Sequence, residues 1–269
     1  MKLLAFETAT EACSVALYID GEIIERHEVA PRLHAEYALP WAEALLAEAG
    51  IKRSQLDVIA ISRGPGAFTG VRLAIAIAQG IALALDKPVV AVSTLQVIAA
   101  SAPSLANAGE GWGGVARACE ELNGADPTPS EPPPAFARGG AKQRILAAID
   151  ARMGEVYVGA FERHGDELVA VSTEIVCAPQ AVTLPDDGGS WHAVGTGFSA
   201  VNGALVAHLG YQLDSVDASV LPHAADVAKL AVAAYARGEA LAPGRIEPAY
   251  LRNNVALTLE EQRALRASR

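Results

Sequence analysis

The residues best placed to do chemistry stand in one run, Ser62-Arg63-Gly64-Pro65-Gly66-Ala67-Phe68-Thr69-Gly70-Val71-Arg72. It lies between a short apolar stretch, 58–61, and an Ala-rich apolar stretch, 73–85. That order predicts a strand, a tight turn and a helix, with Thr69 as the helix N-cap. Glycine supplies positive φ and close backbone approach, and Pro65 fixes φ and removes a donor. The free N–H groups of a helix start can hold an anion, so one reading is a phosphate cradle touched by Gly64 and Gly66. The plainer reading is a turn that joins strand to helix. No Lys-Ser or Lys-Thr follows the last glycine, as a P-loop requires, and the glycine spacing differs from the dinucleotide fingerprint.

Two carboxylates recur in matching places. Glu7 ends the apolar run Leu3-Leu4-Ala5-Phe6, and Asp150 ends Ile145-Leu146-Ala147-Ala148-Ile149. Each leads through another apolar stretch to a hairpin pair, Asp20-Gly21 and His164-Gly165. Such a repeat points to an internal duplication. An acid pair facing one cleft would suit an ATP-dependent phosphotransferase, and Gly195 and Gly197 could line the same cleft or form a plain connection. Cys13, Cys119 and Cys177 are odd in number, widely spaced and free of CxxC. They form neither a disulfide framework nor a zinc site, and a cytoplasmic setting is expected. His34, His192, His208 and His223 lack ligand spacing, and His34 reads as a capping or core-edge histidine. HExxH and GxSxG are absent from the sequence.

The elements that must position these residues follow from the apolar pattern. Strands are expected over 3–8, 13–18 and 22–29, with Asp20-Gly21 as a hairpin turn. A helix over 34–49 ends at Gly50. Strand 58–61, helix 70–85, strand 89–92 and a helix capped by Ser93 or Thr94 and running through 100 come next. The opening pattern then returns, with strands from 145, over 157–161 and over 167–171. Strand 191–194 and helices over 200–209 and 224–236 complete the chain. Residues 102–141 are rich in Gly and Pro, including Pro132-Pro133-Pro134. That composition predicts a mobile insertion, with a short helix over 115–122 inside it. The expected organisation is a first lobe over 1–101, the insertion, and a second lobe over 142–269. The class is α/β, by analogy a duplicated actin/sugar-kinase-like (ASKHA) fold whose lobes each start with a three-stranded antiparallel meander.

Composition narrows the options. The chain has 269 residues, 51% hydrophobic and 19% charged, enough for two lobes with a sizeable core. A net charge of −10 argues against a large nucleic-acid-binding face on this chain alone. Arg263, Arg266 and Arg269 read as a solvated helix end. The apolar start is broken by Glu7, too early for a signal sequence, and 73–85 is too short to span a bilayer, so no membrane partner is expected.

Five stretches in order carry a resemblance: 4–17, 63–72, Val92-Ser93-Thr94-Leu95, 149–157 and Pro248-Ala249-Tyr250-Leu251-Arg252. Together they resemble the TsaB (YeaZ) family, bacterial partner proteins in the synthesis of threonylcarbamoyladenosine at position 37 of tRNA. The resemblance covers the chain except 102–141. It implies an ASKHA fold that has lost catalysis and pairs with TsaD, which transfers the threonylcarbamoyl group, with TsaE as an ATP-binding third component. It further implies a homodimer when alone, tRNA met only through the complex, and ATP and metal held by partner subunits rather than by this chain. The metal-binding histidines of TsaD align with Thr94 and Ile98, and Ile has no lone pair to offer. Glu7 stands where the family usually has Asp.

The same resemblance implies that two helices meet their equivalents in the partner. The first offers Tyr37, Trp41, Leu45 and Glu48 at helical spacing. The second offers two rows of small residues, Gly70-Ala74-Ala78-Ala82 and Ala76-Gly80-Ala84, and the first row is the expected contact face. The alternatives are a phosphotransferase using Glu7 and Asp150, and a metallopeptidase, for which the sequence has no ligand cluster.

Overall fold

The computed structural model describes residues 1–103, 142–185 and 189–252. Cys119, the expected 115–122 helix, nearly all of the 102–141 insertion and the C-terminal arginines lie outside these residues.

The first sheet starts with β1 (Lys2–Glu7), β2 (Ala12–Ile19) and β3 (Glu22–Val29), paired antiparallel in succession. Strands β4 (Val58–Ser62) and β5 (Val89–Val92) join in parallel on the other side of β1, giving the order β3-β2-β1-β4-β5. Alternate residues of β1 serve opposite faces. Leu4 and Phe6 pack with helices α1 (His34–Glu48) and α2 (Phe68–Leu85). Leu3 and Ala5 pack with Val227, Ala228 and Ala231 of the last described α-helix, 224–236. Covering on both faces explains why β1 and β4 carry unbroken apolar runs, 3–6 and 58–61, instead of alternating.

The second sheet repeats this layout. Strands β6 (Gln143–Arg152), β7 (Glu155–His164) and β8 (Glu167–Ala170) pair antiparallel in turn, and β10 (Trp191–Val194) and β11 (Leu213–Asp217) run parallel beside β6. Strand β9 (Ile175–Cys177) pairs with β7. One face packs against α4 (Ala204–Leu209) through Leu205 and Leu209. The other packs against α3 (Thr94–Ser101), whose Leu95, Ile98 and Ala99 meet Ile145, Ala147, Ile149 and Phe161.

Helix α3 therefore belongs to both halves, and its ends show how they are joined. Ser93 Oγ accepts from the N–H groups of Leu95 and Gln96, the expected cap. At the other end Arg163, from β7, donates to the carbonyls of Ala99, Ala100 and Ala102 at 2.8, 2.9 and 2.7 Å. Helix ends leave their last carbonyls short of intrahelical partners, and the Ala99 carbonyl otherwise accepts a long bond from Ala102 N–H at 3.3 Å.

Four expectations change. The division at 142 fails for the C-terminal part, because α5 (Ala224–Ala236) buries its apolar row on the first sheet and not the second. Thr69 is not a cap: α2 starts at Phe68, its N-cap is Ala67, and no side chain closes it. Residues 200–203 form a 3₁₀ turn before α4, because Val201, Asn202 and Gly203 all have positive φ. With 18 residues, α2 is also longer than expected and meets the length and composition needed to cross a membrane. Its Val71, Ala74, Ile75, Ala78 and Ala82 nonetheless sit in the core.

Candidate functional site

The loop ends of the two sheets enclose a cavity of about 1260 Å³. Its walls come from the β1–β2 turn (Ala9 to Glu11), the start of α2, the end of β6 (Ile149 to Met153), the loop after β10 and the C-terminal segment Ala249 to Arg252. Among the expected cleft residues, Gly66 and Asp150 reach the wall, and Gly70 does too. Gly64, Gly195, Gly197 and Glu7 do not line it.

The backbone around the Gly-rich turn is already bonded. Arg63 N–H donates to Val92 at 2.9 Å, Ala67 N–H to Ala9 at 2.7 Å, and the Gly64 carbonyl accepts from Thr94 at 2.9 Å. The glycines serve this packing. A β-carbon on Gly66 would stand 2.4 Å from the Ala9 carbonyl oxygen, and one on Gly195 would stand 2.3 Å from that of Ala148. At Gly197 the obstacle is again Ala148, at 2.6 Å. Close approach of backbone to backbone thus accounts for Gly66, Gly195 and Gly197, with no phosphate needed to explain them. His34 fits the same structural role: its Nε2 lies 2.9 and 3.1 Å from the carbonyls of Thr10 and Ala12, holding the β1–β2 turn.

The two carboxylates have diverged. Asp150 faces the cavity, and its Oδ1 accepts from Arg152 N–H at 2.8 Å while Oδ2 pairs with the Arg152 guanidinium at 2.9 Å. Glu7 is fully buried, and its Oε1 accepts from Ala9 N–H at 2.6 Å. Burial pushes its pKa from 4.5 up to about 7, opposed by the Ser62 hydroxyl, the Ala9 N–H and the charge of His223. The Ser62 hydroxyl lies close enough to oppose the shift, yet neither Ser62 Oγ nor Glu7 Oε2 completes a hydrogen bond of normal geometry. Glu7 is therefore removed from the cleft as a phosphate or metal contact. Thr94 and Ile98 are both buried in α3, Ile98 within the core shared by the two halves. Among the described residues no group of three or more His, Cys, Asp or Glu side chains is arranged to hold a metal ion.

The expected partner face also changes. Gly70, Ala74, Ala78 and Ala82 are buried on the first sheet, and Leu45 of α1 is buried with them. Their small size lets α2 lie close to the strands beneath it, so they cannot touch a partner. The other small row, Ala76, Gly80 and Ala84, is exposed, and Leu83 beside it is 68% exposed. Tyr37 and Trp41 stack at 4.8 Å between ring centroids and are partly buried against the same core. The two rows were both legible at helical spacing. Which one faced inward depended on the direction of the sheet, which spacing alone does not carry.

Other contacts join distant parts of the chain. Glu174 bonds the cap residue Ser93 across the two halves, and burial raises its pKa. His27 on β3 stacks on His223 at 4.0 Å, and His223 Nδ1 lies 3.0 Å from Glu25 Oε2. The hydrogen bond to Glu25 raises the pKa of His223, while burial lowers that of His27. The other Glu25 oxygen accepts from Ala225 N–H at 2.9 Å, so this cluster seats the start of α5 on the first sheet. No local pattern reveals partners so far apart in sequence.

Comparison with known proteins gives consistent results. A family model described as "TsaD: tRNA N6-adenosine threonylcarbamoyltransferase" matches residues 23–109. A "tRNA threonylcarbamoyladenosine biosynthesis protein TsaB" of Escherichia coli (strain K12) is 38% identical over 269 residues, covering 95% of this chain and 96% of the relative. A protein of the same description from Haemophilus influenzae is 33% identical, covering 95% of each chain. The solved structure "YeaZ from Pseudomonas aeruginosa" superposes with a TM-score of 0.73 at 40% identity, covering 93% of this chain and 99% of that one.

Proposed function

The chain belongs to the TsaB family of tRNA threonylcarbamoyladenosine biosynthesis proteins, and on that premise we propose that it acts as a non-catalytic partner subunit for threonylcarbamoyl transfer to tRNA. The observation that carries this reading is the likeness to TsaB proteins along nearly the whole chain. The fold is read as an ASKHA duplication whose first-half helices α1 and α2 engage a TsaD-type transferase, with a TsaE-type ATP-binding protein as third component. ATP and metal belong to those partners. The setting is the cytoplasm, and tRNA is reached through the complex.

The lack of catalysis is read from Glu7 and Asp150. A phosphotransferase of this fold needs two carboxylates open to one cleft, and here one is enclosed and the other is paired with Arg152. The docking face is read as the exposed side of α2, Ala76, Gly80, Leu83 and Ala84, flanked by Tyr37 and Trp41. Small residues there allow a facing helix to approach closely, in the manner of ridges four apart set into grooves. An interface of ordinary size buries about 800 Å² per partner. Alone, the chain would use the same face for self-association, in competition with the transferase.

The test is reconstitution of tRNA modification from the purified transferase, the ATP-binding component and the threonylcarbamoyl donor, with and without this chain. Product formation that depends on the chain is expected. Equal product in its absence defeats the reading.

A further inference from the structure

The cavity carries a second feature that partner docking does not use. Phe68 is 60% exposed and Tyr250 52% exposed, and both line it. Their rings lie 25° from parallel with centroids 6.5 Å apart. The Arg72 guanidinium rests on the Phe68 ring, 3.6 Å from its centroid, and its Nε donates to the Tyr250 hydroxyl at 2.8 Å. Arg32 lines the same cavity, and among the described residues neither Arg32 nor Arg72 makes an ion pair with a carboxylate. In a chain of net charge −10, two unneutralised arginines beside two exposed aromatic rings form a local exception.

Resting on the function proposed above, we infer that the mouth of this cavity takes a single-stranded segment of the RNA substrate. An unpaired base stacks on Phe68 and Tyr250, and Arg32 and Arg72 hold the adjoining phosphates. Aromatic rings combined with arginines are the usual means of holding unpaired nucleotides, because every base offers a flat face and every linkage a charge. At about 1260 Å³ the cavity exceeds the roughly 300–1,000 Å³ of a site for one small molecule, which leaves room for a base with its adjoining backbone. The Asp150 carboxylate in the same wall is neutralised by Arg152, which leaves Glu11 as the opposing charge. Two arginines are too few to bind RNA tightly alone, so the contact acts within the complex and adds to the partner's own grip.

The test measures binding of unmodified tRNA transcript to the reconstituted complex across a range of salt concentrations. Phe68→Ala is expected to weaken binding by about tenfold or more. Arg32→Ala and Arg72→Ala should each lower the slope of log affinity against log salt by about 0.7. Arg72→Lys should retain the slope, since a point charge suffices for a phosphate. All four substitutions are at the surface and should leave co-elution with the transferase unchanged. Unchanged affinity and slope in an intact complex overturn the inference. Loss of co-elution overturns it too, since these residues would then be protein contacts. Failure of the underlying function is distinguishable, because the wild-type chain would then not promote modification at all.

Discussion

A β-carbon on Gly70 would stand 1.9 Å from the carbonyl oxygen of Thr8, and the Thr8 hydroxyl donates to the Gly70 carbonyl at 2.8 Å. The start of α2 is pressed onto the end of β1 at a distance that only glycine permits. Gly70→Ala must push the two apart and is expected to cost about 1–3 kcal/mol, as overpacked core sites do. Gly80, on the exposed side of the same helix, has nothing within 4 Å of its would-be β-carbon. Gly80→Ala should stabilise the isolated chain by about 0.5–1 kcal/mol. Urea denaturation of both variants checks the pair, and equal stability of Gly70→Ala and wild type would remove the packing argument.

Two alanines a half-turn apart on α2 separate folding from docking. Ala76 is exposed and Ala78 is fully buried. Ala76→Arg should leave the melting curve in place and abolish co-elution with the transferase, since a charge at the centre of an interface is costly to desolvate. Ala78→Arg should prevent folding outright. Size-exclusion chromatography and circular dichroism distinguish the two, and a folded Ala78→Arg protein would mean that α2 is turned the other way.

The enclosed carboxyl of Glu7 predicts a pH-dependent stability. Its pKa of about 7 in the fold exceeds the ordinary 4.5. Between those values the folded chain holds a proton that the unfolded chain releases. Stability therefore falls as pH rises from 4.5 to 7, by about 3 kcal/mol for the whole shift. Glu7→Gln keeps an acceptor for Ala9 N–H and never ionises. Its melting temperature should exceed the wild-type value at pH 8 and converge with it near pH 4.5. Parallel curves for the two proteins would show that Glu7 ionises freely in the fold.

Arg163 closes the C-terminal end of α3 from the opposite half of the molecule. Arg163→Ala leaves the carbonyls of Ala99, Ala100 and Ala102 without this donor, at an expected cost of about 1.5–3 kcal/mol for lost bonds to a charged group. Faster hydrogen exchange in α3, beyond that in α1, is the specific signature. Arg163→Lys should recover little, because an ammonium cannot reach three carbonyls as a planar fork does.

The sequence exposed a good part of this fold, and the failures have physical causes. Strand pairs such as β2 and β3 were legible because apolar runs met a turn pair, Asp20-Gly21. Strands β9 and β11 were not, since Ile175–Cys177 is short and Leu213–Asp217 alternates apolar and polar residues only weakly. The Gly-rich turn was visible, but its purpose was not. Gly66 and Gly70 are explained by Ala9 and Thr8, some sixty positions earlier, and no local pattern carries such a distance. The inward row of α2 was misassigned because both rows are small, so residue size did not say which one met the sheet. Phe68 and Arg72 stand in the Gly-rich run and Tyr250 in the stretch 248–252, and only the fold brings Tyr250 over Arg72.

The return of α5 to the first sheet bears on how the chain matures. Leu3, Ala5, Ala16 and Val58, made early, are covered by Val227, Ala228 and Ala231, made late, and Ile246 joins the opposite layer. A chain emerging from the ribosome therefore carries one bare apolar sheet face until residue 236 has cleared the exit tunnel. Cutting the gene between the halves would give no independent first half, only an N-terminal fragment prone to aggregate. The two halves are sequential in layout and inseparable in synthesis, and α5 decides when the first sheet is finished.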